Sequence, residues 1–358
     1  MVRLIVDTPS QTYPVVIGTN LNSELRRVVR RLDPSSVVIV TDSNVSRWAE
    51  KIARNLKPAR FKTSIYVAPA GERSKSMTRL ADVLAFMERK RVDRAGLVIA
   101  VGGGTVGDLA GFAASVWLRG IRLVTVPTTL LAMVDSSIGG KTGVNGVRSK
   151  NAIGAFWQPS AVVSDLACLE TLPQRQLRDA FAEVVKYGVA MDRGLFELLR
   201  EERVRLLSAN RRLMERVVFR CVTAKALVVA RDERERGPRA ILNYGHTAGH
   251  ALEAATRFRV SHGRAVAFGM RVAAEIALDL ELCGPRLVEQ QDELLSELGL
   301  PEWAPSAQPS RVLAAIPHDK KARRGKVAWV LPRRLGHAEP GHTVPPALVR
   351  RVVRKALS

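Results

Sequence analysis

The chain has 358 residues, 46% of them hydrophobic, which excludes a disordered chain and favours two folded domains. Lys and Arg number 56 against 34 Asp and Glu, so the formal charge is +22 and anionic partners, such as nucleic acid or a phosphorylated small molecule, are favoured. The sequence has no apolar run of membrane-spanning length and no signal-peptide pattern, so we expect no membrane association and a cytoplasmic location.

The first half of the chain predicts a doubly wound, mainly parallel α/β sheet. After an opening hairpin over residues 4–17, strand patterns at 36–41, 63–68, 96–101 and 122–126 alternate with helical patterns around 21–32, 44–56, 74–91 and 106–117. This alternation is typical of parallel sheets covered on both faces, whose ligands bind beyond the carboxyl ends of the strands. We therefore expect a nucleotide-binding α/β domain over residues 1–172.

A glycine-rich turn follows the apolar strand at 97–101. Gly102, Gly104 and Gly107 fit the pattern G-x-G-x-x-G. Glycines at this spacing let a pyrophosphate approach backbone N–H groups at the start of a helix, although an ordinary strand-to-helix turn gives the same match. The acidic residue that usually follows about 20 residues later is missing, so Asp42, at the end of an earlier strand, is the candidate for ribose binding.

Two more turns are predicted at the same edge of the sheet as the glycine turn, and a long loop follows them in the chain. The turn over 69–75 carries Glu72 and Lys75, and the turn over 127–129 carries two threonines. Residues 133–154 are rich in Gly, Ser, Asn and Lys and lack a sustained period. They predict a long loop that either captures an anion through Lys141 and Lys150 or is a flexible surface segment.

The second half predicts a mostly α-helical domain over residues 173–358. Helical periodicity covers 176–191, 211–231, 246–258, 263–282 and 286–298, after a short apolar segment at 161–166 and a break at Pro173. A late apolar pattern at 326–331 is consistent with either a strand that returns to the sheet or a hairpin.

Three basic runs account for part of the charge. They lie at 26–31, 211–216 and 350–355, and valines are interleaved with the basic residues at helical spacing in the first and last. We interpret the runs as the solvated faces of amphipathic helices. The sequence has no aromatic stacking motif or zinc-finger spacing beside them, which argues against nucleic acid as the partner.

Candidate metal ligands cluster in the helical half. His246 and His250 are four residues apart and share a helical face, and His262 follows at a loop-to-helix junction. Glu183 and Lys186 are three residues apart and offer an oxygen ligand and a cation. Helical histidines and Glu–Lys pairs at this spacing are common as purely structural features, but together these residues predict a divalent metal site.

The glycine turn and the histidine cluster together predict the oxidation of a metal-bound alcohol by a nicotinamide cofactor. A cation held by nitrogen and carboxylate ligands lowers the pKa of a coordinated hydroxyl. The carbon that carries this hydroxyl is thereby prepared to lose a hydride. A neutral alcohol would leave many cations unused, so we expect a substrate that carries phosphate and carboxylate. The cations concerned are Arg119, Lys141, Lys150, Lys186, Lys225 and Arg239.

Several motifs between residues 6 and 331 are typical of one enzyme family. The longest are GGGTVGDLAGFAA at 102–114, VDSSIGGKT at 134–142, AEVVKYG at 182–188 and LNYGHTAGH at 242–250. Shorter matches are RG at 119–120, VPTTLL at 126–131, KN at 150–151 and LP at 172–173. Through these motifs the sequence resembles the 3-dehydroquinate synthase family of sugar phosphate cyclases.

The resemblance implies a nucleotide-binding N-terminal domain, a helical C-terminal domain, a homodimer, bound NAD and one zinc or cobalt ion. It assigns the metal ligands to Glu183, His246 and His262. His250, which the spacing alone favours as a ligand, then becomes a substrate contact.

The resemblance also implies the remaining site residues. Catalytic roles fall on Lys141, Glu183, Lys186, Asn243 and His250. The implied NAD contacts are Asp42, Glu72, Lys75, Gly103, Gly104, Thr105, Val106, Gly107, Asp108, Thr128, Thr129, Lys141, Lys150, Cys168, Leu169, Glu170 and Thr171. The implied substrate contacts are Arg119, Asp135, Lys141, Asn151, Lys186, Lys225, Arg239, Asn243, His250 and Lys320.

The substrate that the resemblance implies is 3-deoxy-D-arabino-heptulosonate 7-phosphate, an acid that carries a phosphate. In the family's chemistry NAD oxidises a ring alcohol, phosphate is eliminated, the ketone is reduced again, and the opened ring closes by an intramolecular aldol step. Three alternatives stay open: a sugar phosphate cyclase of secondary metabolism, a metal-dependent polyol dehydrogenase that accumulates NADH, and a basic nucleic-acid-binding protein.

Overall fold

The computed structural model describes residues 1–57, 61–147, 149–300, 307–316 and 327–357. The chain divides into two compact units: Met1–Leu172 with Met214–Arg234, and Pro173–Leu213 with Glu235–Ser358. The sequence predicted one domain over all of 173–358, whereas Met214–Arg234 belongs to the first unit. Hydrogen bonds between residues far apart in sequence hold this segment in the first unit. Lys225 Nζ donates to the Asp135 carboxylate at 2.8 Å, and Gln158 Nε2 donates to Glu233 at 2.7 Å.

The first unit alternates strands with helices. Its elements are β1 (Val2–Asp7), β2 (Thr12–Gly18), α1 (Asn22–Leu32), β3 (Ser36–Asp42), α2 (Ser46–Leu56), β4 (Lys62–Ala68), α3 (Met77–Arg89), β5 (Leu97–Gly102), α4 (Gly104–Val116), β6 (Arg122–Pro127), β7 (Lys141–Val144), β8 (Ile153–Phe156) and β9 (Ala161–Asp165). Seven of the strands form one sheet in the order β1-β2-β9-β6-β5-β3-β4. β1 and β2 are antiparallel, and the other neighbouring strands pair in parallel.

Both faces of the sheet are covered, which confirms the predicted doubly wound α/β fold. Leu97, Ile99 and Val101 of β5 pack into the apolar cluster that includes α1 and α2, whereas Val98 and Ala100 pack with α3 and α4. Successive side chains of a strand point to opposite faces, so a strand covered on both sides must be apolar throughout. This arrangement explains why the sequence of β5 is unbroken by polar residues.

The segment at 133–154 is more regular than predicted. Ala132–Ser136 forms a π-helical turn, and β7 and β8 form an antiparallel hairpin. The hairpin packs on α4 at Gly111, where a Cβ atom would lie 2.4 Å from the Thr142 methyl carbon. The apolar segment at 161–166 also proves to be a sheet strand, β9.

The second unit is mostly helical, as predicted. It comprises α5 (Gln174–Ala190), α6 (Arg193–Leu207), the start of α7 (Arg211–Arg231), α8 (His246–Ala255), α9 (His262–Asp279), α10 (Pro285–Glu297), α11 (Pro309–Ala315), β10 (Trp329–Arg334), β11 (His337–His342) and α12 (Pro346–Lys355). Among the strands of the described residues, β10 and β11 pair with each other and with no other strand, so the hairpin alternative for the late apolar pattern is confirmed.

The basic runs on α1 and α12 lie on solvated helix faces, as predicted. Val29, Val352 and Val353 are buried, whereas the neighbouring Arg30 and Arg351 are exposed. Within the described ranges, no helix combines the length and the apolar content needed to cross a membrane.

Candidate active site

Three potential metal ligands meet in the second unit, each from a different helix. Glu183 lies in α5, His246 is the first residue of α8, and His262 is the first residue of α9. Glu183 Oε1 lies 3.2 Å from Nε2 of each histidine, and all three donor atoms lie within 4.8 Å of one another. Two imidazole nitrogens and one carboxylate oxygen form a donor set typical of catalytic zinc sites.

Glycines let the three helices approach closely enough to form this group. A Cβ atom at Gly269 of α9 would lie 1.7 Å from the Gly245 carbonyl oxygen, directly before α8. A Cβ atom at Gly263 would lie 1.9 Å from the Asp179 carbonyl oxygen in α5. Any larger residue at either position would separate the backbones, and with them the donors that the helices carry.

Each histidine has its second ring nitrogen beside an acceptor. His246 Nδ1 lies 3.1 Å from the Tyr244 carbonyl oxygen, and His262 Nδ1 lies 3.5 Å from Glu253 Oε2. An acceptor at Nδ1 favours the tautomer that carries its proton there, which leaves the Nε2 lone pair available to a cation.

Glu183 and Lys186 form a buried ion pair, with their side chains only 1% and 2% exposed. Burial raises the pKa of Glu183, but Lys186, His246 and His262 outweigh it and hold the pKa well below its usual range. Burial also works to lower the pKa of His262, but Glu183 and Glu253 raise it to about 10. The pair is therefore buried and does not lie on the solvated face of α5.

His250 lies beside the donor group but outside it. Its ring centroid is 5.2 Å from that of His246 and 6.4 Å from that of His262. In the described part of the chain, the group of donors within 4.8 Å contains Glu183, His246 and His262 and does not include His250. The helical spacing alone did not distinguish these two roles, and the substrate role of His250 stays a prediction.

Two other predicted substrate contacts lie in a short turn before α8. Arg239 and Asn243 belong to the 3₁₀ segment Pro238–Asn243. Arg239 is 1% exposed, and Asn243 Nδ2 donates to Glu235 Oε1 at 2.9 Å. Lys320, predicted to contact substrate, lies outside the described residues.

In the first unit, the glycine turn borders a small open cleft. Gly103 is the residue before α4, and Gly102 closes β5. A Cβ atom at Gly107, in the first turns of α4, would meet no atom within 4 Å. The cleft is lined by Gly102, Gly103, Gly107, Leu123, Thr125, Ala132, Ser136, Ser137, Gly140, Lys141, Thr142, Trp157 and Pro159.

The buried cation Lys75 joins several predicted contacts near this turn. Its Nζ donates to Asp108 Oδ2 at 2.6 Å and to the Asn151 side chain, and it lies 4.0 Å from Glu72 Oε1. Burial raises the pKa of Asp108, and Lys75 opposes this shift. The structure thus brings together Lys75, Asp108 and Glu72, which the resemblance assigned to NAD, and Asn151, which it assigned to substrate.

Lys225 and Asp135 form a second predicted pair. Lys225 Nζ donates to the Asp135 backbone carbonyl at 2.6 Å and to its Oδ1 at 2.8 Å. Lys225 is buried on α7, and Asp135 lies in the π-helical turn. Their contact fixes the ammonium group at one place in the first unit.

The remaining predicted contacts lie at the ends of strands and in the turns that follow. Asp42 ends β3, and burial raises its pKa. Thr128 is buried, and its hydroxyl has no hydrogen-bond partner among the described residues. Arg119 has a left-handed φ of 69°. Thr105 and Val106 lie in α4, and Thr129 lies two residues after the end of β6. Lys150 directly precedes Asn151. The 3₁₀ segment Leu166–Thr171, which follows β9, contains Cys168, Leu169, Glu170 and Thr171.

Sequence reasoning missed three residues that organise these contacts. Asn145 accepts from the Asn151 N–H and donates to Glu72, both at 2.9 Å. Tyr13 accepts from the Gly139 N–H at 3.3 Å, and Glu253 faces His262. Asn145 lies in the loop predicted at 133–154, and Glu253 lies three residues after the motif at 242–250. The spacing of these residues in the sequence did not indicate which side chains they contact.

Known proteins resemble this chain over its whole length. Residues 65–179 match the N-terminal model of 3-dehydroquinate synthase, and residues 180–322 match its C-terminal model. The 3-dehydroquinate synthase of Gloeobacter violaceus is 43% identical over 357 residues, which is 99% of each chain. The chain belongs to the 3-dehydroquinate synthase family. The family motifs at 102–114 and 242–250 correspond to the glycine turn and to the start of α8.

Two solved structures of related cyclases are similar to this member of the 3-dehydroquinate synthase family. A 2-deoxy-scyllo-inosose synthase complexed with carbaglucose-6-phosphate, NAD⁺ and Co²⁺ is 26% identical, with a TM-score of 0.89 over 99% of this chain and 100% of that one. The 2-epi-5-epi-valiolone synthase of Streptomyces hygroscopicus, with NAD⁺ and Zn²⁺ bound, is 28% identical, with a TM-score of 0.88 over 96% of each chain.

Proposed function

We propose that this protein is a 3-dehydroquinate synthase, a carbon-oxygen lyase of the shikimate pathway of aromatic amino acid biosynthesis. It converts 3-deoxy-D-arabino-heptulosonate 7-phosphate into 3-dehydroquinate and phosphate. Full-length family membership supports the reaction, and the observation that carries it is the group of Glu183, His246 and His262 beside the buried Lys186. A homodimer and a cytoplasmic location are part of the proposal.

The donor group suits one divalent ion, zinc or cobalt. Its two nitrogens and one oxygen leave coordination positions for a substrate hydroxyl, as catalytic sites require. The two solved cyclases, with Co²⁺ in one and Zn²⁺ in the other, support this choice. When bound, the metal would supply Lewis acidity at a substrate hydroxyl, and NAD would supply a reversible acceptor for the hydride of the carbon that carries this hydroxyl.

NAD is proposed to lie along the glycine turn of the first unit. The open space at Gly107 and the N-terminus of α4 suit a pyrophosphate, which backbone N–H groups and the helix dipole favour. Lys75 and Asp108 hold each other near this turn, and Asp42 is proposed to bind a ribose. The NAD⁺ in both solved cyclases supports this assignment.

The chain's own side chains bind the anionic substrate and move its protons. Lys225, fixed by Asp135, and the buried Arg239 are proposed to bind the phosphate and carboxylate. Lys186 keeps Glu183 ionised, so this carboxylate is ready to act as a ligand. His250, with its ring 5.2 Å from that of His246, is proposed to carry away the proton of the substrate hydroxyl.

The proposal is tested by incubating purified protein with the heptulosonate phosphate, a catalytic amount of NAD and Zn²⁺ or Co²⁺. We expect one phosphate released for each 3-dehydroquinate formed, without net NADH. No phosphate release would reject the proposal, and conversion of the added NAD into NADH, with turnover ending when that NAD is used up, would identify a polyol dehydrogenase instead.

A second candidate is a sugar phosphate cyclase with another substrate. The observation that favours it is the similarity of the fold to 2-deoxy-scyllo-inosose synthase, with a TM-score of 0.89. Parallel assays with hexose and heptulose phosphates that lack a carboxylate distinguish the two, because 3-dehydroquinate synthesis requires the acid.

A further inference from the structure

Glu253 is a buried carboxylate beside the proposed metal group, and the implied ligand and substrate sets do not contain it. It lies in α8, three residues after His250, and it is 4% exposed. Its Oε2 lies 3.5 Å from Nδ1 of His262, while Nε2 of the same ring lies 3.2 Å from Glu183 Oε1. The His262 ring therefore stands between two carboxylates, one at each nitrogen.

The chemistry of imidazole gives these two carboxylates different tasks. A histidine that binds a metal is neutral and carries its one proton on the nitrogen that faces away from the ion. A carboxylate at Nδ1 stabilises the N–H there, fixes the ring orientation and makes Nε2 a better electron donor. The Tyr244 carbonyl stands in the equivalent place beside Nδ1 of His246, at 3.1 Å.

The burial of Glu253 supports such a task. A carboxylate removed from water is costly to keep unless nearby groups compensate for its lost hydration. A position filled only for packing would be occupied better by an apolar side chain, as Ala251 and Leu252 occupy theirs in the same helix. The charge of Glu253 lies 3.5 Å from Nδ1 of His262, close enough to act on this ring.

We infer that Glu253 is a positioning residue, which orients the proposed ligand His262 and increases its affinity for the divalent ion. The inference rests on the proposed function in one respect: the group of Glu183, His246 and His262 must bind a metal.

The experiment measures the dissociation constant for Zn²⁺ by competition with a chromogenic chelator. Glu253→Gln keeps the size and an acceptor oxygen but removes the charge, and Glu253→Ala removes both. Glu275→Gln is the matched control, because Glu275 lies in α9 with His262 but pairs with Lys355 at 3.3 Å. Melting temperatures of the metal-free proteins separate loss of metal affinity from loss of the fold, and Co²⁺ absorption spectra report the ligand field.

We expect the dissociation constant to rise about 10- to 100-fold in Glu253→Ala, since this is the usual effect of removing such an outer carboxylate. The dissociation constant of Glu253→Gln should rise less, and that of Glu275→Gln should stay within about twofold of the wild-type value. The Co²⁺ spectrum should change in the Glu253 variants only. If Glu253→Gln and any folded Glu253→Ala protein bind Zn²⁺ as tightly as wild type, with an unchanged Co²⁺ spectrum, the inference is overturned. Failure of the wild-type protein to bind Zn²⁺ would overturn the proposed function and this inference with it.

Discussion

Gly107 and Gly111 lie one helical turn apart in α4, and their surroundings differ. A Cβ atom at Gly107 would enter open space, whereas one at Gly111 would strike the Thr142 methyl carbon at 2.4 Å. The first glycine therefore has no packing role in the described residues, which favours a role in binding. The second has a packing role that the sequence pattern did not indicate.

Gly107→Ala is predicted to stabilise the fold and weaken NAD binding. Replacing a helical glycine by alanine gains about 0.5–1 kcal/mol. A methyl group in the space proposed for the pyrophosphate should raise the NAD dissociation constant at least about tenfold, or about 1.4 kcal/mol. Urea unfolding and calorimetric NAD titration measure the two effects, and unchanged NAD affinity would argue that the nucleotide binds elsewhere.

His246→Ala and His250→Ala are predicted to separate metal binding from proton transfer. The first removes a member of the donor group, so the purified protein should lose its metal. The second should retain the metal and lose turnover, because His250 lies outside that group. Metal content by atomic emission, together with phosphate release, measures both variants. Metal loss in both would make His250 a ligand.

The stability of the metal-free protein should depend on pH through His262. Burial lowers the pKa of this ring, but Glu183 and Glu253 raise it to about 10 from the usual 6.5, so the folded state favours the charged form. The resulting stability is complete below pH 6.5 and is lost as the pH rises towards 10. Urea unfolding at pH 6.5, 8 and 9.5 should show this decline in wild type and a weaker one in His262→Gln. If the free energy of unfolding of wild type and of His262→Gln declined equally with pH, the decline would not come from His262.

At the residue scale, the sequence predicted the residue types of the donor group better than their arrangement. The i,i+4 spacing put His246 and His250 together as ligands, and only the resemblance replaced His250 by His262. Helical spacing describes one helix, but the donor group draws on three, which meet because Gly263 and Gly269 permit close contact. Glu253 was missed for the same reason, since its partner lies on another helix.

At the element scale, the sequence of the β7–β8 hairpin has too weak a strand pattern for the hairpin to be predicted. Gly143 and Gly154 face each other in its two strands, and glycine has a low strand propensity. The hairpin is stabilised instead by packing on α4 and by Asn145 at its end, which links Glu72 to the Asn151 backbone. α6 was missed although Leu195, Leu198 and Leu199 carry a helical pattern, whereas the strongly apolar β5 was predicted within one residue at each end.

Gly111→Ala should destabilise the protein by loosening this hairpin from α4. Overpacking typically costs about 1–3 kcal/mol, more than the helix gains from alanine. The double variant Gly111→Ala with Thr142→Ser should recover most of the loss, because serine lacks the methyl group that the new Cβ atom would strike. Urea unfolding of the single and double variants measures the coupling, and Gly107→Ala controls for helix propensity. Additive effects would contradict this account of the packing.

For the whole molecule, the sequence predicted two units and the change between them at Pro173, but not the return of the chain at Met214–Arg234. The helical pattern of α7 was visible, but its unit is decided by contacts such as that of Lys225 with Asp135, ninety residues apart. Truncation after residue 172 would therefore remove part of the first unit. The proposed reaction draws on residues of both units, so neither is expected to be active alone.

An isotope label tests most directly whether the hydride removed in the proposed oxidation returns to the same carbon. The substrate carries deuterium on the carbon whose hydroxyl is oxidised, and it is turned over with one equivalent of NAD per chain and Zn²⁺. We expect the 3-dehydroquinate to keep its deuterium, one phosphate to be released per product, and no reduced cofactor to remain. Deuterium left in reduced cofactor, or equal turnover after complete removal of the metal, would contradict the proposed reaction.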